Sequence, residues 1–380
     1  MKTGAPFCLL MLTALAIAIA TCVEALWGTP CALRHIYGAW WFIALWGLTA
    51  AAGCVLLYRK RLWKHPPLFL LHASLLLILA GALATRLGSR SGKVHLREGE
   101  ATRTYWARNG QNDGFTAETL PFFLALSDFR ILYDSDGATP GDYMSRVVIS
   151  TKDGRQQEVT ISMNHIGRAG GYRIYQTSYD DDEGGSLFTV SYDPWGTGIT
   201  YTGYLLLTLS MVWITLRRRR SSEQRRALSP WRGAGEALLT LSGTALASYM
   251  LIAVCRNPLV PVLRSPFLFV HVGTVMLSYI LLVVSIARRE LLRPAVFLLA
   301  IGIFLGAVWA NVSWGTYWSW DPKESWALVT LLLYSLPLHR QSLPWFRSMR
   351  NYRIYSLLCL ASLLMTYFGV NFIGGMHSYQ

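Results

Sequence analysis

Charge is scarce in this sequence. Only 15% of its 380 residues are Asp, Glu, Lys or Arg, while 53% are hydrophobic, too little charge and too much apolar length for an ordinary soluble domain. Cysteine pairs are missing too. Cys8, Cys22, Cys31, Cys54, Cys255 and Cys359 form no Cys-x-x-Cys, and none precedes His in a haem-attachment pattern, so the chain is not itself a c-type cytochrome. There is no internal repeat and no low-complexity tract apart from the basic run after Leu216, which excludes a repeat architecture. Acidic residues are few as well, and the net charge of +14 invites a nucleic-acid reading. The distribution of charge removes it. Residues 86–196 hold 12 Lys/Arg against 15 Asp/Glu, and the rest of the chain holds 23 against 6, gathered in short loops between apolar runs as the positive-inside rule requires of a membrane protein.

A bilayer core about 30 Å thick takes roughly 20 apolar residues per helix. Nine runs qualify, at about 6–26, 38–57, 67–85, 198–216, 234–254, 267–286, 294–312, 325–340 and 354–371. Loops 58–65, 217–232, 287–293 and 340–353 are rich in Arg and Lys. The short loops between them carry only Arg34, then Arg256 and Arg264, then Lys323. The alternation predicts an α-helical polytopic membrane protein of about nine spans, N-terminus inside and C-terminus outside. Lys2 followed by Phe7–Ala20 also has the form of a signal peptide, but the run stays apolar past the cleavage region, so retention is expected. Most of the cysteines sit in or at the ends of these runs, where a thiol behaves as a small hydrophobe. Cys31 and Cys255 fall near one membrane face, and a pairing between them stays open. The single large polar segment, 86–196, lies outside. It alternates as strands do at Val147–Ile149 and Tyr172–Tyr175, with turn signals at Asn109-Gly110, Asp113-Gly114, Asp136-Gly137 and Asp153-Gly154, and is expected to be one external β-rich domain.

The densest local signal is Trp314–Trp326, WGTYWSWDPKESW, in the external loop after the seventh span. An interfacial aromatic belt is the bland alternative, but a belt spreads its rings over many helix ends. Trp314, Trp318, Trp320 and Trp326 beside Asp321, Lys323 and Glu324 suit a large, flat, amphipathic ligand that needs stacking and a few polar anchors. The histidines divide by depth. His72 and His339 lie toward the inner face, and His271 and His377 lie at the outer face with the Trp-rich loop. An intramembrane ionisable residue is a functional candidate by default, and neutral imidazole is a common ligand of haem iron. The bland alternative for any single one is a hydrogen-bonded helix-end histidine. His35 and His165 are also external, and His165 reads as structural.

The Trp-rich segment resembles the WWD domain of haem-handling proteins in the form found in the CcsA proteins of cytochrome c maturation system II. His271 in FVHV, His377 in GGMHSY and His339 in PLHR match the histidines of that family. The preceding half is similar to the ResB (CcsB) family in HASLLLILAGA with His72, LREGE (96–100), LPFFLALSDFRI (120–131), GDYMSRVVI (141–149), MNHIGRAGGYRIYQTSYD (163–180) and YDPWGTGITYTGYLLL (192–207). The order is that of fused CcsBA synthases. The resemblance divides the chain into ResB-like helices 1–85, the external β-rich domain 86–197, a fourth span with basic linker 198–232, and a CcsA-like membrane domain 233–380 containing the WWD loop 314–326.

It also implies a function: haem b passes from a cytoplasmic site at His72 and His339 to an external site at His271 and His377, against Trp314, Trp318, Trp320, Trp326 and Lys323, all four histidines serving as axial iron ligands. Covalent attachment to the Cys-x-x-Cys-His segment of an apocytochrome c follows, with His271, His377 and Asp321 as catalytic residues. The implied setting is a bacterial cytoplasmic (inner) membrane, with apocytochrome c, haem, membrane lipid and an external thiol reductant as partners, and no nucleic acid. The chain is shorter than typical fused synthases. A haem exporter or chaperone without lyase activity is the alternative. A di-haem electron-transfer cytochrome fits less well, because such proteins place paired histidines on facing helices, and here only His72 and His339 qualify. The alternation of basic loops predicts that a reporter fused after Gln380 scores as external and one in the Arg217–Arg226 loop as cytoplasmic. A cytoplasmic C-terminus would put the span count off by one.

Overall fold

The computed structural model describes residues 4–108, 114–133, 140–223 and 265–373. Eight helices of 14 residues or more follow the apolar runs: α1 (Ala5–Trp27), α2 (Trp40–Arg59), α3 (Pro66–Gly88), α4 (Gly196–Glu223), α5 (Pro266–Ser285), α6 (Leu292–Trp314), α7 (Pro322–Ser335) and α8 (Met349–Tyr367). Proline stands in the first turn of α1, α3, α5 and α7, where its missing N–H costs nothing and its fixed φ already suits a helix. The expected span 234–254, Cys255 and His377 lie outside the described residues.

Among the described residues six helices are long and apolar enough to cross a membrane: α1, α2, α3, α4 to Arg217, α5, and α6 together with the turn that leads into it. The chain is a multi-pass membrane protein. α7 has 14 residues, about 21 Å at the helical rise, and then tightens into a 3₁₀ turn over Leu336–His339. Pro337 in that turn has no N–H to continue the α-helical ladder. The expected span 325–340 is therefore a shorter helix and a turn, and α8 opens with Arg350 and Arg353 before its apolar stretch.

Three packings organise the bundle: α3 against α4, α5 against α6, and α7 between α1 and α8. Small residues let these backbones come close. On α4, a Cβ at Gly203 would fall 2.6 Å from Ile78 Cγ1 and 3.2 Å from the Ser74 carbonyl. Hydrocarbon gives no hydrophobic drive between helices, so such close packing carries their association.

Residues between α3 and α4 form eight strands: β1 (Arg90–Arg97), β2 (Ala101–Arg108), β3 (Phe115–Tyr133), β4 (Pro140–Thr151), β5 (Gln156–Ile161), β6 (Gly167–Ala169), β7 (Tyr172–Tyr179) and β8 (Gly185–Tyr192). All pairings are antiparallel, in the order β5-β4-β3-β2-β1-β8-β7-β6. The sheet curls until its two ends approach, a near-barrel around Leu96, Phe122, Leu124, Ile149, Phe188 and Val190. β3 shows the physics plainly. Leu120, Phe122, Leu124 and Leu126 point inward with period two. A bulge between Leu126 and Asp128 then shifts the phase, so that Phe129 is the next buried residue, as one extra residue in a strand must do.

The near-barrel is fastened to one end of the bundle. The Tyr175 hydroxyl donates to the Asn311 carbonyl at 3.1 Å, Arg173 Nη1 to Asn311 Oδ1 at 3.1 Å, and Ser191 Oγ to the Gly315 carbonyl at 3.3 Å. Burial pushes the Tyr175 phenol up to about 12, which keeps it a donor. We expect Gly203→Val to force α3 from α4 and lower the thermal unfolding temperature of the detergent-purified protein. Gly47→Val, with nothing within 4 Å of the added group, should leave it unchanged.

Candidate functional site

Residues far apart in the chain meet at both ends of the bundle. At the end away from the near-barrel, His72 on α3 and His339 at the close of the 3₁₀ turn after α7 lie with ring centroids 6.1 Å apart and planes at 74°. Phe7 of α1 packs on the other side of His339 at 5.3 Å. His72 Nδ1 is 2.8 Å from the Leu68 carbonyl and His339 Nδ1 is 3.0 Å from the Ser335 carbonyl. A carbonyl can only accept, so Nδ1 carries the proton in both rings and Nε2 keeps the lone pair. That is the form in which imidazole ligates a metal, with its other nitrogen donating to a carbonyl. With metal–nitrogen bonds of about 2.0–2.1 Å, two imidazoles on one metal put their centroids roughly 6 Å apart, which is the separation of this pair.

At the other end, His271 sits on α5 where α6 presents Gly302-x-x-x-Gly306. A Cβ on Gly306 would lie 2.6 Å from His271 Cε1, so only glycine there leaves room for the ring. His271 Nδ1 is 2.7 Å from the Gly302 carbonyl, which again assigns the lone pair to Nε2. His377, its expected partner, lies outside the described residues. His35 is exposed in the Leu33–Tyr37 turn. His165 closes the turn between β5 and β6, where the Ser162 N–H donates to its carbonyl at 2.8 Å and Ser162 Oγ lies 3.3 Å from its Nδ1. Among the described residues no group of three or more His, Cys, Asp or Glu is placed to hold a metal ion, so the histidines stand in pairs or singly.

The Trp-rich loop shares this end, and it is held from several sides. Trp320 stacks on Tyr37 (4.6 Å, 14°) and meets Phe42 edge-on at 5.3 Å. Its backbone adopts φ 61°, a left-handed conformation costing about 1–2 kcal/mol for a non-glycine residue, which the stack and the bond from Ser325 Oγ to its carbonyl (3.3 Å) sustain. Trp326 Nε1 donates to Thr21 on α1 at 2.9 Å, and Trp314 lies against Trp309 at 4.8 Å. Trp318 stands edge-on to Trp320 at 5.7 Å, and its Nε1 is buried without a hydrogen-bond partner. Such a donor calls for an acceptor that the described residues do not provide. One face of Trp320 is thus already taken by Tyr37, which narrows the surface offered to a ligand.

The acidic and basic residues of the loop build a helix start. Asp321 is the N-cap of α7, accepting from the Lys323 N–H at 2.9 Å, with Pro322 next and Glu324 in the first turn. Glu324 Oε2 reaches back to the Ser319 N–H and hydroxyl at 2.9 and 3.2 Å. Asp321 is buried, and this arrangement accounts for an aspartate here on structural grounds alone. Burial lowers the Lys323 pKa, with Asp321 acting the other way.

Sequence reasoning missed the cap, although Asp-Pro-x-Glu is a legible helix start. It also missed Tyr37 and Glu24. Glu24 is buried near the end of α1 with Oε1 bonded to Thr29 Oγ1 (2.7 Å) and Oε2 unpartnered. A carboxylate near the end of an apolar run was the available signal. If Asp321 serves as a cap, Asp321→Ala should cost about 1 kcal/mol of stability, while Asp321→Asn, which can still cap, should unfold near the parent temperature. Equal losses in both would assign the site to charge.

Two family models match the chain. Residues 59–199 match the ResB-like family, which includes His72 and all eight strands, and residues 285–377 match the cytochrome C assembly protein family, which includes the Trp-rich loop, His339 and His377. His271 precedes the second match. Among curated proteins, NrfI of Wolinella succinogenes is 40% identical over 154 residues, covering 32% of this chain and 17% of that protein. The cytochrome c biogenesis protein CcsA of Guillardia theta is 34% identical over 172 residues, 32% of this chain and 56% of its own length. CcsA of Oenothera argillicola is 49% identical over 82 residues, 21% of this chain and 25% of its own. The chain thus spans from about a sixth to somewhat over half of the length of these relatives. With the ResB-like match ending where α4 begins and the assembly-protein match starting where α5 ends, the polypeptide joins both families in one chain, as a fused ResB–CcsA protein does.

Proposed function

We propose that this protein carries haem b across a bacterial inner membrane and attaches it to the Cys-x-x-Cys-His segment of apocytochrome c. The observation that carries the reading is the meeting of His72 and His339, one from each family's region, with both Nδ1 protons fixed on carbonyls. Haem is the substrate here. In this reading nine spans run from a cytoplasmic N-terminus to an external C-terminus, and the ResB-like domain (86–197) and the WWD loop (314–326) face outward. Residues 1–85 supply the first three helices, 198–232 the fourth with its linker, and 233–380 the haem-handling membrane domain.

His72 and His339 receive haem from the cytoplasmic side. His271 and His377 hold it outside, with Trp314, Trp318, Trp320, Trp326 and Lys323 around the ring. The unpartnered Trp318 Nε1 supports an oxygen acceptor on the ligand, such as a propionate. Thioether formation adds each thiol across a vinyl group: sulfur bonds to the carbon next to the ring, and the proton goes to the terminal carbon. The addition is redox-neutral but needs free thiols, hence an external reductant. The chain's own part is to hold iron, shield the ring from water and present its vinyl edge. Asp321 acts by shaping the loop.

The test is co-expression with an apocytochrome, followed by a denaturing gel stained for covalent haem. Parent protein should give a stained cytochrome. His271→Ala or His377→Ala should reduce it at least tenfold and shift the absorption spectrum of the purified protein, while His35→Ala should do neither. Non-covalent haem in the protein with no stained cytochrome would make it an exporter.

A further inference from the structure

A cavity of about 440 Å³ opens where the near-barrel meets the bundle, between β6–β7 and the ends of α4 and α6. That is within the range of ligand sites, about 300–1,000 Å³. Arg168, Arg173, Asp193, Thr197, Tyr201 and Asn311 give it its polar lining. The charges do not balance. Asp193, its one carboxylate, is already saturated: Thr85 Oγ1, the Gly196 N–H, the Thr197 N–H and Thr197 Oγ1 each donate to it at 2.8 Å. Arg173 gives its hydrogens to neutral acceptors, Asn311 Oδ1 at 3.1 Å and Thr197 Oγ1 at 3.5 Å. Arg168, paired with Arg173 across the β6–β7 ladder, is exposed, and its guanidinium has no hydrogen-bond or ion-pair partner among the described residues. Tyr201 accepts from Asn311 Nδ2 at 2.7 Å, which leaves its own hydroxyl proton to donate. Two guanidinium groups and a phenol proton on one concave wall call for an oxyanion.

What lies below identifies its source. Leu205, Leu209, Val212 and Leu216 continue from Tyr201 down one face of α4, at near-helical spacing, and are 59%, 51%, 47% and 55% exposed. This stripe, roughly 17 Å long, is exposed along a helix apolar enough to cross a membrane, with the cavity at its head. We propose that the cavity binds the phosphate of an anionic phospholipid whose acyl chains lie along the stripe. Arginines clustered at the end of a membrane helix supply the bidentate, charge-assisted bonds that a lipid phosphate takes. The bound lipid joins the near-barrel, through its arginines, to α4 and α6, so it braces the junction that positions the loop after α6. The inference stands apart from the proposed haem chemistry.

The test uses the full chain in nanodiscs of phosphatidylcholine with or without phosphatidylglycerol, then detergent delipidation and native mass spectrometry of retained lipid. Parent protein should keep phosphatidylglycerol in preference to phosphatidylcholine. Arg168→Gln with Arg173→Gln should lower that retention at least about tenfold, since each lost bond is charge-assisted, and Arg155→Gln, on the β4–β5 turn, should not. Because Arg173 also bridges to α6, Arg168→Gln alone is the second variant, with partial loss at an unchanged unfolding temperature. Equal retention in parent and both variants, or no preference for the anionic lipid, would overturn the proposal. Displacement by inorganic phosphate as effective as by short-chain phosphatidylglycerol would make it a free-phosphate site. Loss of haem with phosphatidylglycerol retained would reassign the arginines to a porphyrin carboxylate.

Discussion

The Tyr317 hydroxyl lies 2.8 Å from Thr85 Oγ1 and accepts from Thr200 Oγ1 at 3.4 Å. These bonds draw the loop after α6 onto the junction of α3, α4 and the near-barrel, and the other placements at that end follow from them. Gly315, at φ 84°, leaves room for the Tyr175 ring, whose Cε2 would be 2.7 Å from an added Cβ. Trp320 can then reach back to Tyr37, and Asp321 can start α7. The loop is therefore fixed by partners from the ResB-like region, from the α1–α2 linker and from its own helix at once.

The same economy governs the histidines. Each sits near a helix end and borrows a backbone carbonyl within the protein: Leu68 for His72, Ser335 for His339, Gly302 for His271. The first two take the carbonyl one turn back along their own chain, so their orientation is set locally, and their rings then meet across the bundle. His271 reaches across to α6 instead, and depends on glycine at 302 and 306 for the approach. A pair built on local bonds and a histidine built on a helix–helix contact respond differently to strain. A small movement of α5 disturbs the second and leaves the first intact.

Much of this was legible in the sequence, for identifiable reasons. Helix starts came within a few residues where proline opens the helix, as at Pro66, Pro266 and Pro322. That His72 and His339 stand at one level was read by counting depth along apolar runs, because a membrane converts sequence position into height, whereas their meeting is visible only in the fold. The strands between α3 and α4 were legible as alternation, but not the bulge after Leu126 that turns the phase of β3. Nor was the near-barrel's attachment visible. Arg173, Ser191 and Asn311 are ordinary polar residues until the fold brings them together. The segment DPKE shows the opposite failure: its charges invited a chemical reading, while its spacing spelled a helix cap.

The fixed tautomer of the three described histidines has a further consequence. In each ring the proton already resides on Nδ1, so an iron that binds Nε2 displaces none. Passing a metal from one such nitrogen to the next neither releases nor consumes hydrogen ions.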